Sequence, residues 1–382
     1  MTGACVRGVG LSCALGADAE TCVAAMLHET VRPSELRLER LSESLRMPYY
    51  RMPDRGELFD SGRMQRLLPP VVHAAVAQAG LTAVEICKLP LFIGSSCFSI
   101  GESEARYSKA LALESPDAMP MSVCGYQDIA KLVQQTLGCE GETYTYNTAC
   151  TASANAMLGA LRMLELGWHR QALVVGVELA NLTTLAGFSG LQIIAETLRP
   201  FDAKRAGLVL GEGIGAVLLS AEESVNAPRI RGGASNCDTF SVTTANPDGK
   251  SVAAVLQQAL QQAQVQPQQV RGIKAHGTAT PMGDTAEALG IRKIFTSTPP
   301  VCVLKPYLGH TLGACCVNEL VLFAGALQQG ILPATPGFEA PDSAFELQPI
   351  KHAVAAPDGC YLLNHFGFGG NNAVLVLEKT TR

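Results

Sequence analysis

The chain has 382 residues, 47% of them apolar and 16% charged, which is enough to bury two domains or one large duplicated core. Its net charge is −5 without a long basic block, so nucleic-acid binding is not expected. The N-terminus lacks the basic and apolar regions of a signal peptide, and no apolar run reaches the roughly 20 residues that span a bilayer, so membrane association is not expected either.

The 13 cysteines are odd in number, contain no CxxC pair and show no metal-like spacing with histidine. A disulfide scaffold or a structural metal site would need such pairing. The composition therefore predicts reduced thiols in a cytoplasmic protein with no bound metal.

Two similar units follow each other along the chain. Each opens on a strand-like run and closes on a Gly-rich turn that enters an apolar strand, and these segments are residues 5–10, 211–219, 229–234 and 367–377. Gly-rich turns before strands are common in α/β proteins, so the repeat alone is a weak signal. The polar stretch 222–228 is the predicted boundary, which gives an N-terminal half of residues 1–225 and a C-terminal half of residues 226–382.

Strands alternate with helices within each half. Short apolar runs at 91–94 and 172–177 predict buried strands, whereas 251–265 predicts a helix and 270–275 a strand that leads into His276. This alternation predicts α/β layers in which helices cover a largely parallel sheet.

One stretch of the first half does not fit this alternation. Residues 35–60 are charged and contain Pro48 and Pro53, which is typical of a surface excursion. We therefore expect a cap insertion near residues 30–70, beside a substrate entrance.

Cys150 stands at a corner between a strand and a helix. Residues 143–148 alternate as in a strand, residues 151–166 are rich in Ala, Leu and Met as in a helix, and Gly167 stands where the helix would stop. The dipole and free N–H groups of a helix N-terminus stabilise a thiolate, so this cysteine is a candidate nucleophile. The alternative is a buried structural cysteine, because free cysteine is among the most buried residue types.

Three further segments carry chemistry that complements such a nucleophile. Residues 274–287 place His276 at the end of a strand, and residues 305–319 place His310 directly after a glycine. The Gly-rich turn at 364–372 can offer backbone N–H donors to an anion. Each segment alone is ordinary, but one Cys, two His, a Lys and a donor-rich turn together compose an acyl-transfer site.

In this order the segments resemble those of the β-ketoacyl-[acyl carrier protein] synthases of the elongating kind, within the thiolase-fold superfamily. The resemblance spans nearly the whole chain and rests on Thr148-Ala149-Cys150, Arg199-Pro200-Phe201-Asp202, Ala275-His276-Gly277-Thr278, Lys305 with Gly309-His310, and Phe366-Gly367-Phe368-Gly369-Gly370. One Cys with two His resembles the elongating synthases rather than the initiating ones, which use Cys-His-Asn, or thiolases, which use a second cysteine. The resemblance implies an α/β fold of the thiolase-like, duplicated, five-layer αβαβα type.

The resemblance also implies a decarboxylative Claisen condensation. Cys150 would take the acyl chain from an acyl carrier protein thioester, with the N–H groups of Cys150 and Phe368 as the oxyanion hole. His276 and His310 would bind the carbonyl of the malonyl-[acyl carrier protein] thioester and stabilise the enolate that decarboxylation leaves. The enolate then attacks the acyl group to give a 3-ketoacyl-[acyl carrier protein], and Phe368 acts as a gate to the acyl pocket.

The family pattern further assigns contacts to the arm that delivers both substrates. Thr278, Thr280 and Phe366 would contact 4'-phosphopantetheine, which arrives on the acyl carrier protein, so the chain is expected to need no cofactor of its own. Arg63 and Arg66 lie where the family has basic residues that face the acidic carrier protein, although surface arginines are usually only solvated.

Four other polar residues are expected to support the site. Lys305 is expected to pair with Glu319 and to set the field around His310, rather than to donate a proton. Asp284 and Glu287, together with Glu319, are expected to hold loops in place by hydrogen bonds.

Several positions depart from the family pattern near the expected pocket walls. His365 replaces a serine, Leu208 replaces an aromatic residue, residues 97–100 replace a Gly-rich turn, and residues 186–199 look shortened. These changes leave the reaction intact. They leave open the acyl chain, and with it the choice between fatty-acid and polyketide or polyene synthesis.

Two other functions remain open from the sequence. A non-catalytic partner subunit of the chain-length-factor type would share the fold, but such subunits lose the nucleophile, whereas this chain has Cys150, His276 and His310. A Cys-His hydrolase would use water as the second acceptor, and the paired histidines with Lys305 argue against it. We expect a dimer in which residues 143–148 pair across a two-fold axis, with either an identical chain or a related ketosynthase-like subunit as the partner.

Overall fold

The computed structural model describes residues 3–28, 32–38, 45–54, 56–112, 125–225 and 227–380. Within these ranges the chain forms fifteen strands: β1 (Ala4–Cys13), β2 (Ser34–Leu38), β3 (Leu45–Tyr50), β4 (Leu91–Gly94), β5 (Thr143–Tyr146), β6 (Gln171–Glu178), β7 (Leu210–Gly211), β8 (Gly213–Ser220), β9 (Arg229–Cys237), β10 (Val270–Lys274), β11 (Val301–Cys302), β12 (Ile331–Leu332), β13 (Val354–Ala355), β14 (Gly359–Gly367) and β15 (Asn371–Lys379). The same ranges contain eleven α-helices: α1 (Ala19–His28), α2 (Arg63–Ala79), α3 (Ala83–Cys87), α4 (Ile100–Ala112), α5 (Asp128–Leu137), α6 (Ala152–Glu165), α7 (Leu182–Gly190), α8 (Lys250–Ala263), α9 (Pro281–Ile294), α10 (Lys305–Leu308) and α11 (Cys315–Gln328).

The same strand pairing occurs twice in one ten-stranded sheet. Its strand order is β11-β10-β14-β15-β9-β1-β8-β6-β4-β5, and β9 and β1 join the two halves through two residue pairs. In each half two antiparallel pairings are followed by two parallel ones, so the sheet is mixed rather than largely parallel as expected. The architecture is therefore duplicated, and we propose that the halves are residues 1–225 and 226–382.

Two helices lie between the halves of the sheet and make the central layer. Helix α6 contacts β4 and β6 of the first half as well as β9 and β15 of the second, and α11 packs beside it. Twelve of the fourteen residues of α11 are buried, as expected for a helix that is covered on all sides. Helices α2 and α5 cover one outer face and α8 and α9 the other, which gives the five layers αβαβα.

Small residues allow the central helices to approach the strands closely. A Cβ atom at Gly94 of β4 would lie 2.4 Å from the Cα of Ser153 on α6. That distance is far below van der Waals contact, so only glycine fits at this crossing. The close packing holds the start of α6, and therefore the neighbouring Cys150, against the sheet.

The cap near residues 30–70 stays a prediction, and the structure describes part of this region. Strands β2 and β3 pair with β7 in a separate three-stranded sheet, while residues 29–31 and 39–44 lie outside the described ranges. The hydroxyl of Tyr50 donates to the carbonyl of Pro306, 2.7 Å away, which ties this sheet to the second half. From Arg63 onward the chain forms α2, which packs on β1 as part of the outer layer.

The expectation that Arg63 docks a carrier protein is wrong, because its side chain is only 2% exposed. Two N–H groups of its guanidinium donate to the two carboxylate oxygens of Glu212, with N–O distances of 2.6 and 2.8 Å. Its Nε atom donates to Asp54 at 3.0 Å. A planar guanidinium matches a carboxylate in this two-bond geometry. Arg63 therefore ties α2 to the strand junction between β7 and β8.

None of the helices in the described ranges is both long and apolar enough to cross a membrane. The twelve cysteines in these ranges are all free thiols, and Cys124 lies outside them.

We predict that Arg63→Met lowers the free energy of unfolding by about 3–5 kcal/mol, because it leaves the buried Glu212 carboxylate without its partner. Urea unfolding followed by circular dichroism measures this loss. The control is Arg66→Met, since Arg66 pairs with Asp60 at the surface, where such a pair is worth less than about 1 kcal/mol. Equal losses in the two variants would contradict the structural role of Arg63.

Candidate active site

Cys150 lies in a tight turn between β5 and α6. The strand ends at Tyr146, residues Ala149–Thr151 form one 3₁₀ turn, and α6 begins at Ala152. Thr151 closes this turn, because its hydroxyl donates to the carbonyl of Thr148 at 2.7 Å. The strand-to-helix corner is therefore present, with Cys150 buried inside the turn.

The two predicted histidines reach Cys150 from the other half of the molecule. His276 follows β10 and His310 follows α10, and their rings stand edge to face with centroids 5.3 Å apart. The Nε2 atom of His310 lies 3.1 Å from the Sγ atom of Cys150. Nucleophile and imidazoles thus share one buried chamber.

The predicted oxyanion donors also face the nucleophile. The backbone N–H groups of Phe368 and of Cys150 itself both point to the Sγ atom and act to lower its pKa. A Cβ atom at Gly367 would lie 2.9 Å from the backbone nitrogen of Cys150. Glycine at 367 is therefore required for the Gly-rich turn to approach the nucleophile so closely.

Burial raises the pKa of the Cys150 thiol to about 12, even though Lys305 and the two N–H groups act in the opposite direction. The sequence predicts that the helix N-terminus stabilises the thiolate of Cys150, and in the resting chamber burial outweighs this effect. Desolvation disfavours the charged form more than the nearby dipoles favour it. The thiol is therefore protonated and must lose its proton as it reacts.

The imidazoles are suited to receive that proton. Burial, followed by the charge of Lys305, holds the pKa values of His276 and His310 well below their ordinary value, so both rings are neutral. The Nδ1 atom of His310 is buried and has no hydrogen-bond partner among the described residues. With nothing to fix its tautomer, this ring can accept a proton at Nε2 or carry one there.

A buried carboxylate, Glu319 on α11, holds two ammonium groups beneath the histidines. It lies 2.8 Å from the Nζ atom of Lys305, as predicted, and it also contacts Lys274. Burial opposes the charge on Glu319, but the two lysines outweigh it and lower the pKa of the carboxyl. Lys305 also lies 3.3 Å from the Nδ1 atom of His276, so it acts on His276 as well as on the field around His310.

Two more carboxylates hold the loop that carries His276. Glu287 accepts from the backbone nitrogens of His276 and Gly277 at 2.8 and 2.9 Å. Asp284 accepts from the nitrogens of Phe201 and Ala279 at 2.6 and 3.0 Å. Both residues are thus placed as loop supports.

A backbone strain accompanies each of the three reactive side chains. Ala149, Ala279 and Leu312 have φ values of 50°, 62° and 41°, in the left-handed region that non-glycine residues rarely adopt. They lie within three residues of Cys150, His276 and His310 respectively. Strained backbone of this kind persists where the surrounding structure holds a functional group in place.

A cleft of about 260 Å³ leads from the surface to Cys150. Thr278, Thr280 and Phe366 line it, as do Cys150 and both histidines. The ring of Phe368 stacks on Phe188 of α7, with centroids 5.6 Å apart. The predicted arm-contacting residues and the predicted gate therefore meet at this one opening.

The sequence did not single out Lys274, Cys315 or Glu178, which also form the chamber. Glu178 accepts from the nitrogens of Cys97 and Gly313 at 3.1 and 2.9 Å, which fixes the turn after His310. Lys274 could have been found from the sequence, because a lysine at the end of a buried strand needs a partner for its charge.

The other predicted docking residue, Arg66, is half exposed and pairs with Asp60.

Comparisons with known proteins agree with this geometry. The N-terminal and C-terminal domain models of the beta-ketoacyl synthase family match residues 54–224 and 228–339. A 3-oxoacyl-[acyl-carrier-protein] synthase 2 of Synechocystis is 31% identical over 69% of this chain and 68% of its own length. One from Mycobacterium leprae is 27% identical over 97% of this chain and 95% of its own.

Solved structures agree in fold. A beta-ketoacyl synthase from Burkholderia phymatum superposes with a TM-score of 0.86 at 26% identity over the full length of both chains. A ketosynthase from Xenorhabdus doucetiae, solved in complex with its chain length factor, gives a TM-score of 0.85 at 23% identity over 99% of this chain and 98% of its own. The predicted thiolase-like fold is thereby confirmed. The chain belongs to the beta-ketoacyl synthase family and is an acyltransferase that catalyses a Claisen condensation.

We predict that the rate at which iodoacetamide alkylates Cys150 rises about tenfold per pH unit from about pH 7 to about pH 9.5 without a plateau. The physical reason is the thiol pKa of about 12, which leaves only a small thiolate fraction throughout this range. Mass spectrometry of the peptide that contains Cys150 measures the rate. The same peptide in the urea-unfolded chain is the control, and its rate should level off near a pKa of about 8.5. A plateau below pH 8 in the folded protein would show a stabilised thiolate instead.

Proposed function

We propose that this chain condenses an acyl group held on Cys150 with the malonyl group of malonyl-[acyl carrier protein]. The products are carbon dioxide and a 3-ketoacyl-[acyl carrier protein] that is two carbons longer. The observation that carries the proposal is the chamber itself, in which the thiol of Cys150 lies 3.1 Å from a neutral His310 and beside His276. Retention of these three side chains argues against a non-catalytic, chain-length-factor-like partner.

In the first step Cys150 becomes acylated. Its thiol passes a proton to the Nε2 atom of His310 while the sulfur attacks the thioester carbonyl of the acyl carrier. The N–H groups of Cys150 and Phe368 hold the negative charge that develops on the carbonyl oxygen. The pantetheine sulfur then leaves and takes the proton back from His310, which returns to its neutral form.

In the second step the malonyl thioester occupies the same cleft. Because the Nδ1 atom of His276 accepts from Lys305, the ring carries its proton on Nε2 and can donate to the thioester carbonyl. His310 donates beside it once its own proton is on Nε2. Loss of carbon dioxide leaves an enolate, whose carbon attacks the acyl carbonyl and breaks the bond to Cys150. The Cys150 thiolate released in this way takes up a proton from solvent, which restores the thiol.

The cleft suits the phosphopantetheine arm of a carrier protein. Its walls combine the hydroxyls of Thr278 and Thr280, which are 3.0 Å apart, with the apolar ring of Phe366. The arm would supply both substrates, so the chain would need no cofactor of its own. Phe368 would act as the gate, and it must leave its stack on Phe188 before the acyl pocket can open.

Assembly as a dimer is supported by the edge of the sheet. Strand β5 is the last strand in the order, and β4 is its only neighbour among the described strands. An edge strand offers free N–H and C=O groups to a strand of another chain. We propose pairing of β5 across a two-fold axis, with an identical chain or a ketosynthase-like subunit, and docking of the acyl carrier protein with Arg66 as a contact.

A cytoplasmic location is part of the proposal. Twelve described cysteines that remain free thiols fit a reducing, cytoplasmic location. Fatty-acid elongation and polyketide or polyene synthesis both use this condensation, and the acyl chain held on Cys150 distinguishes them.

We predict that Cys150→Ala reduces condensation by at least about 10³-fold, because no acyl-enzyme can form. Decarboxylation of malonyl-[acyl carrier protein] should continue, since both histidines remain. Intact mass after incubation with a panel of acyl carrier protein thioesters reports acylation directly, and only the wild-type chain should gain the mass of an acyl group. Elongation by the alanine variant would overturn the assignment of the nucleophile.

We predict that His276→Ala leaves acylation of Cys150 intact but slows malonyl decarboxylation by about 10²–10³-fold, the usual effect of removing one oxyanion donor. His310→Ala should slow both steps, because His310 contacts the thiol as well as the chamber. Acyl-enzyme mass and release of labelled carbon dioxide measure the two steps separately. If the two variants behave alike in both assays, this division of roles is wrong.

A further inference from the structure

A second series of polar side chains ends on the backbone of Cys150. The Sγ atom of Cys315 lies 3.1 Å from the carbonyl oxygen of Cys150 and 3.5 Å from the Nδ1 atom of His365. The Nε2 atom of His365 lies 3.4 Å from the Nζ atom of Lys274. These three side chains come from α11, β14 and β10, and all are fully buried.

The direction of the hydrogen bonds follows from the chemistry of each group. An ammonium can only donate, so Lys274 donates and the Nε2 atom of His365 accepts. The ring then carries its proton on Nδ1 and donates to the sulfur of Cys315, whose S–H donates to the carbonyl oxygen of Cys150. Burial and the charge of Lys274 keep the pKa of His365 well below its ordinary value, which is consistent with a neutral ring.

Lys274 is itself held at the start of this series. Its Nζ atom donates to the backbone oxygen of Asn364 at 2.8 Å and contacts Glu319, the carboxylate that also holds Lys305. The series is therefore continuous from the shared carboxylate to the peptide of the nucleophile.

We propose that Lys274, His365 and Cys315 are positioning residues for Cys150, an inference that rests on the proposed role of Cys150 as the nucleophile. They fix its carbonyl, while the N–H group on the other side of the same residue serves as an oxyanion donor. The residue before it, Ala149, is held at a φ of 50°. Without the hydrogen bond from Cys315 to the carbonyl oxygen of Cys150, this strained turn relaxes. Both the sulfur and the N–H group of Cys150 then move away from the thioester.

Two residues of this series, Cys315 and His365, lie close enough to His276 for the three to resemble a metal site. The ligand atoms of His276, Cys315 and His365 all lie within 4.8 Å of one another. Lys305 and Lys274, however, contact nitrogens of the two histidines, and two ammonium groups strongly disfavour a divalent cation there. The hydrogen-bond series from Lys274 through His365 to Cys315 is therefore favoured over a metal site.

The test compares substitutions that remove one link with substitutions that keep it. Cys315→Ala and His365→Leu remove a donor, whereas Cys315→Ser and His365→Asn keep one at a similar place. We expect kcat to fall about tenfold in the first pair, which is the effect of one neutral hydrogen bond, and to stay within about threefold in the second. The KM for malonyl-[acyl carrier protein] should change by less than about twofold in all four variants.

A defined acyl donor, a control variant and a double variant complete this experiment. The acyl donor is the carrier thioester that acylates wild-type Cys150 fastest in the mass panel. Cys316→Ala makes the same truncation one residue further along α11, where the thiol packs in the apolar core, and kcat should be unchanged. The double variant Cys315→Ala/His365→Leu should be no slower than either single variant, because links in one series act as a unit.

Two results would overturn the inference. One is equal loss of kcat in Cys315→Ala and Cys315→Ser, which would mean that the hydrogen bond is not needed. The other is an additive, about hundredfold, loss in the double variant, which would mean that the two residues act independently. Failure of the proposed function has a different signature, since condensation would then persist in Cys150→Ala.

Discussion

The carboxylate of Glu319, placed between Lys274 and Lys305, is the interaction on which the rest of the chamber depends. Two ammonium groups could not be buried side by side without it, because like charges repel strongly where water is absent. The same carboxylate holds Lys305, whose Nζ atom lies 3.3 Å from the Nδ1 atom of His276. Burial, followed by the charge of Lys305, keeps the neighbouring histidines neutral, and Lys305 also opposes the rise in the pKa of Cys150. Helix α11, which carries Glu319, is almost wholly buried in the central layer.

Burial also determines how the nucleophile works. The central layer excludes water, which raises the pKa of the Cys150 thiol to about 12 and lowers those of His276 and His310. Groups with these protonation states react by passing a proton over a short distance, here 3.1 Å from sulfur to His310. The chamber therefore relies on geometry, and the left-handed backbone at Ala149 and Leu312 shows where the fold holds that geometry under strain.

The motifs anticipated most of the site because they are local. The strand-to-helix corner at Cys150, the histidines at 276 and 310 and the turn at 367–370 follow from residue types at short spacings. Local patterns were least informative about two residues, Arg63 and Cys150, because there they compete with burial. The residues around Arg63 are typical of a surface arginine. Glu212, which is 149 positions away in the chain, nevertheless binds its side chain in the interior. A helix N-terminus favours a thiolate, yet desolvation outweighs that dipole.

The amino-acid sequence by itself indicated the order of the segments and a set of residue types suited to acyl transfer, because both depend on short motifs and apolar periodicity. The resemblance to the β-ketoacyl synthases, rather than the residue pattern, implied that the reaction is a condensation. Only the tertiary structure decided the protonation states, the mixed pairing of the sheet and the series from Lys274 through His365 and Cys315 to Cys150. These properties arise from distances between residues far apart in the chain and from the loss of water around them. No single segment of the sequence determines either the distances or the burial.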